Sequence, residues 1–272
     1  MASGLLRTTF NRSELVRILS ETAPPDVAPP YDFGERLGKW LDFTDALTLY
    51  PILNRETRVP AAALSADPAR PSPLPAQLER VRQVLSEAIL DDGVFNRHTA
   101  SVEEGRETPP EAPPAAKIPF PTPLPGDDAA SAADFAPYHR FYLAHQRDMT
   151  AAIALLRNAA RKALAERSPA HRQLAELDAA FQDVLTARER NLLGTIPMHL
   201  AKRFDERYRD HLEALTDATD DPTQWAVPGG WLEGFCHDTQ AVLLAELDLR
   251  LKPVAGLIAA LENPDPNHGA MQ

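Results

Sequence analysis

The residues best equipped for chemistry lie at 138–149, where tyrosines, histidines and an aspartate share one helical run. At helical spacing, Tyr138, Tyr142 and His145 fall on one face, whereas His139 points elsewhere. The two imidazoles therefore cannot share a metal ion within this helix. This face predicts a surface that binds a partner or a ligand. The structural alternative is a seam of large side chains packed against the next helix.

A second candidate is the only cysteine, Cys236, which is followed directly by His237. A thiol nucleophile with an imidazole base, or a metal site that adds Glu233, can be imagined here. Adjacent helical side chains diverge by about 100°, which spoils activation of a nucleophile. We therefore predict no catalytic residue, no metal ligand and no cofactor, and interpret Glu233 and His237 as an i,i+4 contact.

Two basic clusters could form a stripe that binds nucleic acid: Arg157, Arg161, Lys162 and Arg167, and Lys202, Arg203, Arg207 and Arg209. The second cluster alternates with four acidic residues, so its net charge is zero. A solvated helix face with ion pairs is the alternative interpretation.

Three long helices are predicted to position these residues in a bundle over 134–263. The first, Asp134 to Arg167, carries apolar and aromatic residues at a seven-residue spacing typical of coiled coils. Ser168 and Pro169 start a second helix, which Gly194 and Pro197 should kink. The third begins near Pro228.

The N-terminal region, 1–98, shows shorter helical patterns near 12–21, 32–49 and 75–91. Pro51 is expected to end the second of these. Its apolar residues occupy more than one face, so it either packs on the bundle or presents a surface to a partner. Trp40 from this helix joins Tyr138, Tyr142, His145 and Met149 in the candidate partner surface.

Prolines divide the chain. Of its 26 prolines, many fall in the stretch 108–125, so we predict a flexible linker over 99–133 and a disordered tail over 264–272. Low glycine and aromatic content favours an all-α fold, an antiparallel bundle of long helices with shorter N-terminal helices.

Charge and hydropathy bear on the protein's compartment and on whether it binds nucleic acid or inserts into a membrane. A net charge of −11 disfavours binding to nucleic acid. The longest apolar run, 253–261, is about half the length of a membrane span. We expect a cytoplasmic protein with no membrane insertion, and the single cysteine agrees with a reducing compartment.

Three stretches carry a resemblance to a known family: ERLGKWLDFTDALTLY (35–50), YHRFYLAHQRDM (138–149) and ARERNLL (187–193). They resemble an uncharacterised proteobacterial family, domain of unknown function 3348. Its members tend to be encoded beside relatives of the stator proteins MotA and MotB, in operons that look like Zorya-type anti-phage systems. The resemblance implies a cytosolic accessory of such a system, with MotA/MotB-like proteins or a second accessory protein as partners.

Three functions remain open from the sequence. The favoured one is a non-enzymatic helical interaction or adaptor protein, which could also form homo-oligomers. The alternatives are a nucleic-acid-binding effector of the same system and a hydrolase or metal enzyme that uses Cys236 and His237.

Overall fold

The computed structural model describes residues 14–21, 43–55, 72–90, 120–215 and 220–262. Within these ranges all regular structure is helical, which confirms the predicted all-α fold. The α-helices are α1 (Glu14–Glu21), α2 (Phe43–Leu53), α3 (Leu74–Leu90), α4 (Ala129–Ala132), α5 (Ala136–Arg167), α6 (Pro169–Leu193), α7 (Ile196–Ala214) and α8 (Trp231–Glu262), and a 3₁₀ turn covers Pro222–Gln224.

The N-terminal helices follow their apolar patterns closely. Helix α3 lies within a residue of the predicted span at each end, whereas residues 32–42 of the predicted second helix lie outside the described residues. The expectation that Pro51 ends that helix is wrong, because α2 continues to Leu53. Pro51 has no N–H to donate to the Leu47 carbonyl. The last turn is held instead by Asn54, whose backbone N–H and side-chain Nδ2 both donate to the Tyr50 carbonyl at 3.0 Å.

The second predicted long helix is in fact two helices. Helix α6 ends at Leu193 and α7 begins at Ile196, so the predicted kink is a complete break. Pro197 lacks the N–H that would bond the Leu193 carbonyl in a continuous helix. The Thr195 carbonyl instead accepts from the N–H of Met198 at 3.1 Å and starts α7.

The third predicted long helix begins three residues later than expected, because Pro228 and two glycines form a turn before Trp231. Gly229 has a φ of +88°, which favours glycine. A Cβ on Gly230 would lie 2.1 Å from the Trp225 carbonyl oxygen, so only glycine fits there. Glu233 closes this turn, since its Oε2 accepts from the Gly229 N–H at 2.6 Å.

The chain divides into two compact units. The first takes its described residues from 1–79, 153–193 and 249–272, and the second from 80–152 and 194–248. Helices α3, α5 and α8 each contribute residues to both units.

The first unit includes the second half of α5, α6, the end of α8 and α2. Helix α2 packs on α6, where Gln173 Nε2 donates to the Ile52 carbonyl at 2.6 Å. His171 Nε2 donates to the Ala260 carbonyl at 3.1 Å, and Ser168 Oγ contacts its Nδ1 at 2.7 Å. The bonds of Gln173 and of His171 Nε2 join segments that are far apart in sequence. The Ser168–His171 contact lies at the junction between α5 and α6.

The second unit has an aromatic core. Phe235 on α8 is fully buried, and its ring lies 5.2 Å from that of Phe204 on α7 and 5.6 Å from that of Tyr138 on α5. Edge-on and tilted contacts of this kind suit the charge distribution of aromatic rings. The other rings of the cluster are Phe120, Phe135, Phe141, Tyr208, Trp225 and Trp231.

The predicted flexible linker ends earlier than Ala133. Phe120 is 4% exposed and packs 5.2 Å from the ring of Phe141. Asp128 then caps the short helix α4 by accepting from the Ser131 N–H at 2.9 Å. Burial of this ring supplies part of the free energy that orders these residues, at about 1.5–3 kcal/mol. Residues 99–119 and 264–272 lie outside the described residues.

Candidate functional site

The predicted partner surface on α5 is not a surface. Tyr138, Tyr142, His145 and Met149 are each exposed by 4% or less, so the structural alternative is the one observed. Burial, with smaller contributions from Cys236 and Asp134, raises the pKa of Tyr138 and keeps its hydroxyl protonated. Trp40, the fifth residue predicted for this surface, lies outside the described residues.

The buried stripe of α5 departs from the predicted seven-residue repeat. It follows that repeat as far as Met149 and again at Leu156, but Ile153, Ala160 and Leu164 are buried where the repeat predicts their neighbours Ala152, Ala159 and Ala163. A straight helix of 3.6 residues per turn drifts away from a strict seven-residue pattern. The first shifted residue, Ile153, is also where α5 passes from the second unit to the first.

The second unit contains a buried polar network that the sequence did not reveal. Glu246 on α8 is 0% exposed. The Tyr142 hydroxyl donates to its Oε2, and Gln146 Nε2 donates to both carboxyl oxygens at 2.9 and 3.1 Å. A signal was present in the preceding turn, because residues 241–245 are all apolar, and a helical turn that is apolar on every side tends to be buried. The network fixes α5 against α8.

His145 is buried beside this network, with its ring 4.6 Å from that of Phe141. Its Nε2 has no hydrogen-bond partner in the structure. Burial lowers the pKa of His145 below its usual value, and the charge of Asp148 opposes this only in part. The folded protein therefore holds this imidazole neutral.

We expect the stability of the protein to fall as the pH drops below about 6.5, the usual pKa of histidine in an unfolded chain. There the unfolded chain binds a proton that the folded His145 resists, so acid favours unfolding. Replacing His145 with leucine should reduce the loss of unfolding free energy between pH 7.5 and 5, as measured by urea denaturation. Leu155→Gln, at an exposed position of the same helix, provides the control and should leave the loss of stability at low pH unchanged. An unchanged slope in the His145→Leu variant would contradict the expectation.

Cys236 and His237 point in different directions, as their adjacent positions predicted. Cys236 is 0% exposed, whereas His237 is exposed. Glu233, predicted to contact His237, bonds the Gly229 N–H. The side chains of Cys236 and His237 therefore diverge, as side chains at adjacent helical positions do.

Two pairs of arginines, one from each predicted basic cluster, are held by aspartates. Arg157 and Arg161 on α5 both bond Asp178 on α6, at distances from 2.6 to 2.9 Å. In the second unit, Arg203 and Arg207 on α7 bond Asp238 on α8. Their guanidinium groups are thus engaged within the fold. Ion pairs were predicted, but on a solvated face, whereas these are partly buried and join neighbouring helices.

Helix α2 carries four large apolar side chains that are more than half exposed. Phe43 is 79% exposed, Leu47 57%, Tyr50 67% and Leu53 57%, whereas Leu49 is 4% exposed. The first three recur at i, i+4 and i+7 and therefore share one face. We call these four residues the α2 stripe. One face of α2 packs on α6, as one of the two sequence interpretations predicted, and the stripe is exposed among the described residues.

In the described ranges no three histidine, cysteine or acidic residues are grouped so that they could hold a metal ion. None of the helices described is both long and apolar enough to cross a bilayer.

The fold and its surfaces define an all-α helical protein with a buried polar network and one apolar helix face open to solvent. The chain belongs to the family described as protein of unknown function DUF3348, whose model matches residues 1–263. No curated protein and no solved structure gives a significant match.

Proposed function

We propose that this protein is a non-enzymatic helical interaction protein that acts as an adaptor within a larger assembly. The observation that supports this is the α2 stripe. Four large apolar side chains stand more than half exposed on a helix of 11 residues. Contiguous exposed apolar surface of this kind marks interaction sites in soluble proteins.

The way α2 is held supports the same proposal. On α6, Gln173 bonds the Ile52 carbonyl in the last turn of α2, and Glu176 bonds the guanidinium of Arg55, two residues after the helix, both at 2.6 Å. Leu49 is buried on the packed side. The helix is thus fixed before any partner arrives, which reduces the entropy lost on binding.

The resemblance to a family encoded near MotA/MotB-like proteins suggests the setting. We propose a cytoplasmic accessory component of a multi-protein anti-phage system of the Zorya type, which contacts its partners through α2. The partners would be the MotA/MotB-like membrane proteins or a second accessory protein. The engaged arginines and the net charge of −11 make nucleic acid a less suitable partner.

Co-purification tests this function. A tagged chain is expressed at native level together with its neighbouring genes, and the bound proteins are identified by mass spectrometry. We expect a neighbouring gene product to co-purify, and the double variant Leu47→Glu, Tyr50→Glu to reduce its recovery at least fivefold. Leu155→Glu is the matched control, because Leu155 on α5 is 75% exposed and lies outside the stripe. Recovery of the wild-type chain alone would contradict the proposal.

A further inference from the structure

The α2 stripe has an order of residues that allows it to pair with itself. Leu47 lies near the middle of the helix, with an aromatic residue four positions before it, Phe43, and another three positions after it, Tyr50. If two copies of α2 cross antiparallel on a two-fold axis near Leu47, Phe43 of each copy meets Tyr50 of the other. The two leucines then meet at the centre. A two-fold interface needs this kind of self-complementary surface.

The charges around α2 favour a second copy as well. The stripe contains no ionisable side chain apart from the Tyr50 phenol. Arg55, just beyond the helix, forms an ion pair with Glu176 at 2.6 Å. Asp45 is half-buried and lies away from the stripe on the helix circumference. Two copies of a chain with a net charge of −11 repel one another, and an uncharged face is where they can approach with the least repulsion.

We propose that the α2 stripe is a homodimer interface, in which α2 pairs antiparallel with α2 of a second copy. The inference goes beyond the proposed function: a second copy occupies the α2 stripe when no neighbouring protein is bound there, so the two occupants exclude each other. The stripe would bury roughly 400 Å² per copy, or about 800 Å² in total, which is less than the ~1,200 Å² typical of stable interfaces. The dimer is therefore weak and reversible, with a Kd on the order of 10–100 µM.

Sedimentation velocity of the purified full-length chain tests the dimer, with the protein itself as the probe. Between about 5 and 200 µM, the range set by the expected Kd, the sedimentation coefficient should rise with concentration. Leu47→Glu and Leu47→Lys should each weaken association at least tenfold, because each places two like charges together on the two-fold axis. Leu155→Glu, equally drastic on another helix, should sediment as the wild type does.

Mixing the two variants gives the sharpest result. The Leu47→Glu chain and the Leu47→Lys chain, each monomeric alone, should form a heterodimer when mixed, because opposite charges then meet on the axis. Phe43→Ala is a milder variant and should weaken the wild-type dimer by about threefold to tenfold. Circular dichroism spectra matching that of the wild type establish that each variant is folded.

Several outcomes would overturn the inference: a wild-type chain that stays monomeric to 200 µM, a dimer that Leu47→Glu leaves unchanged, or charge variants that do not associate when mixed. These results are distinct from failure of the proposed function. A monomeric chain that still captures a neighbouring gene product through α2 would refute the dimer and support the adaptor. A dimer that captures none would do the reverse.

Discussion

Replacing Asp178 with alanine is expected to lower the free energy of unfolding by about 2–3 kcal/mol, between the cost of breaking an exposed ion pair and that of breaking a fully buried one. Asp178 is the shared acceptor of Arg157 and Arg161, and the three side chains are only 13–17% exposed. Without the carboxylate, two guanidinium groups remain in a site largely closed to water. Urea denaturation followed by circular dichroism at 222 nm measures the loss.

The control for Asp178 lies two residues earlier on the same helix. Glu176 pairs with Arg55 at a similar distance, but those side chains are 36% and 59% exposed. Glu176→Ala should therefore cost less than about 1 kcal/mol. Equal losses in the two variants would show that burial does not set the strength of the Asp178 cluster.

The Asp178 cluster stabilises the fold only over part of the pH range. Burial raises the pKa of Asp178, but the hydrogen bonds and charges of Arg157 and Arg161 outweigh burial and lower the pKa overall. A carboxylate with a lowered pKa stabilises the fold above its unfolded value of about 3.9, and this contribution is lost as the pH falls through the folded value. The comparison of Asp178 with Glu176 is therefore best made at neutral pH.

Replacing Glu246 with alanine should cost about 3 kcal/mol, through the void that it leaves and the acceptor that it removes. The hydroxyl of Tyr142 and the amide of Gln146 would lose the carboxyl oxygens to which they donate. Thermal and urea denaturation at pH 7 both measure this change.

Glu246→Gln separates shape from hydrogen bonding in that network. Glutamine keeps the volume and one carbonyl acceptor, so the loss should be about 1 kcal/mol. If the alanine variant proved as stable as the glutamine variant, the network would contribute little and Glu246 would be buried for another reason.

Local patterns predicted most of the helices, because a helix in a bundle must bury one face. The spans of α3 and α5 followed from apolar spacing alone, and Ser168 with Pro169 marked the start of α6. The errors came from proline. Pro51 lies in the last turn of α2, where the loss of one hydrogen bond is tolerated, whereas Pro197 follows Gly194 closely and the helix breaks completely. Which of these outcomes occurs depends on packing around the residue.

The site was harder to predict, because burial of a polar residue is decided by several helices together. The seven-residue pattern identified Tyr142 and His145 as members of one face but left open whether that face was covered. Glu246 was missed, since a glutamate within a helix normally faces water. The α2 stripe was foreseen in part, because a helix with apolar residues on two sides cannot bury both against one neighbour.

The complete burial of Cys236 has a practical consequence for spectroscopy. A thiol enclosed in the core is shielded from maleimides and methanethiosulfonates while the protein remains folded. Because it is the only cysteine, a cysteine introduced at an exposed position such as Leu155 would be the one site that takes a nitroxide or a fluorophore. Distances between labels on two copies could then be measured without first replacing the native residue.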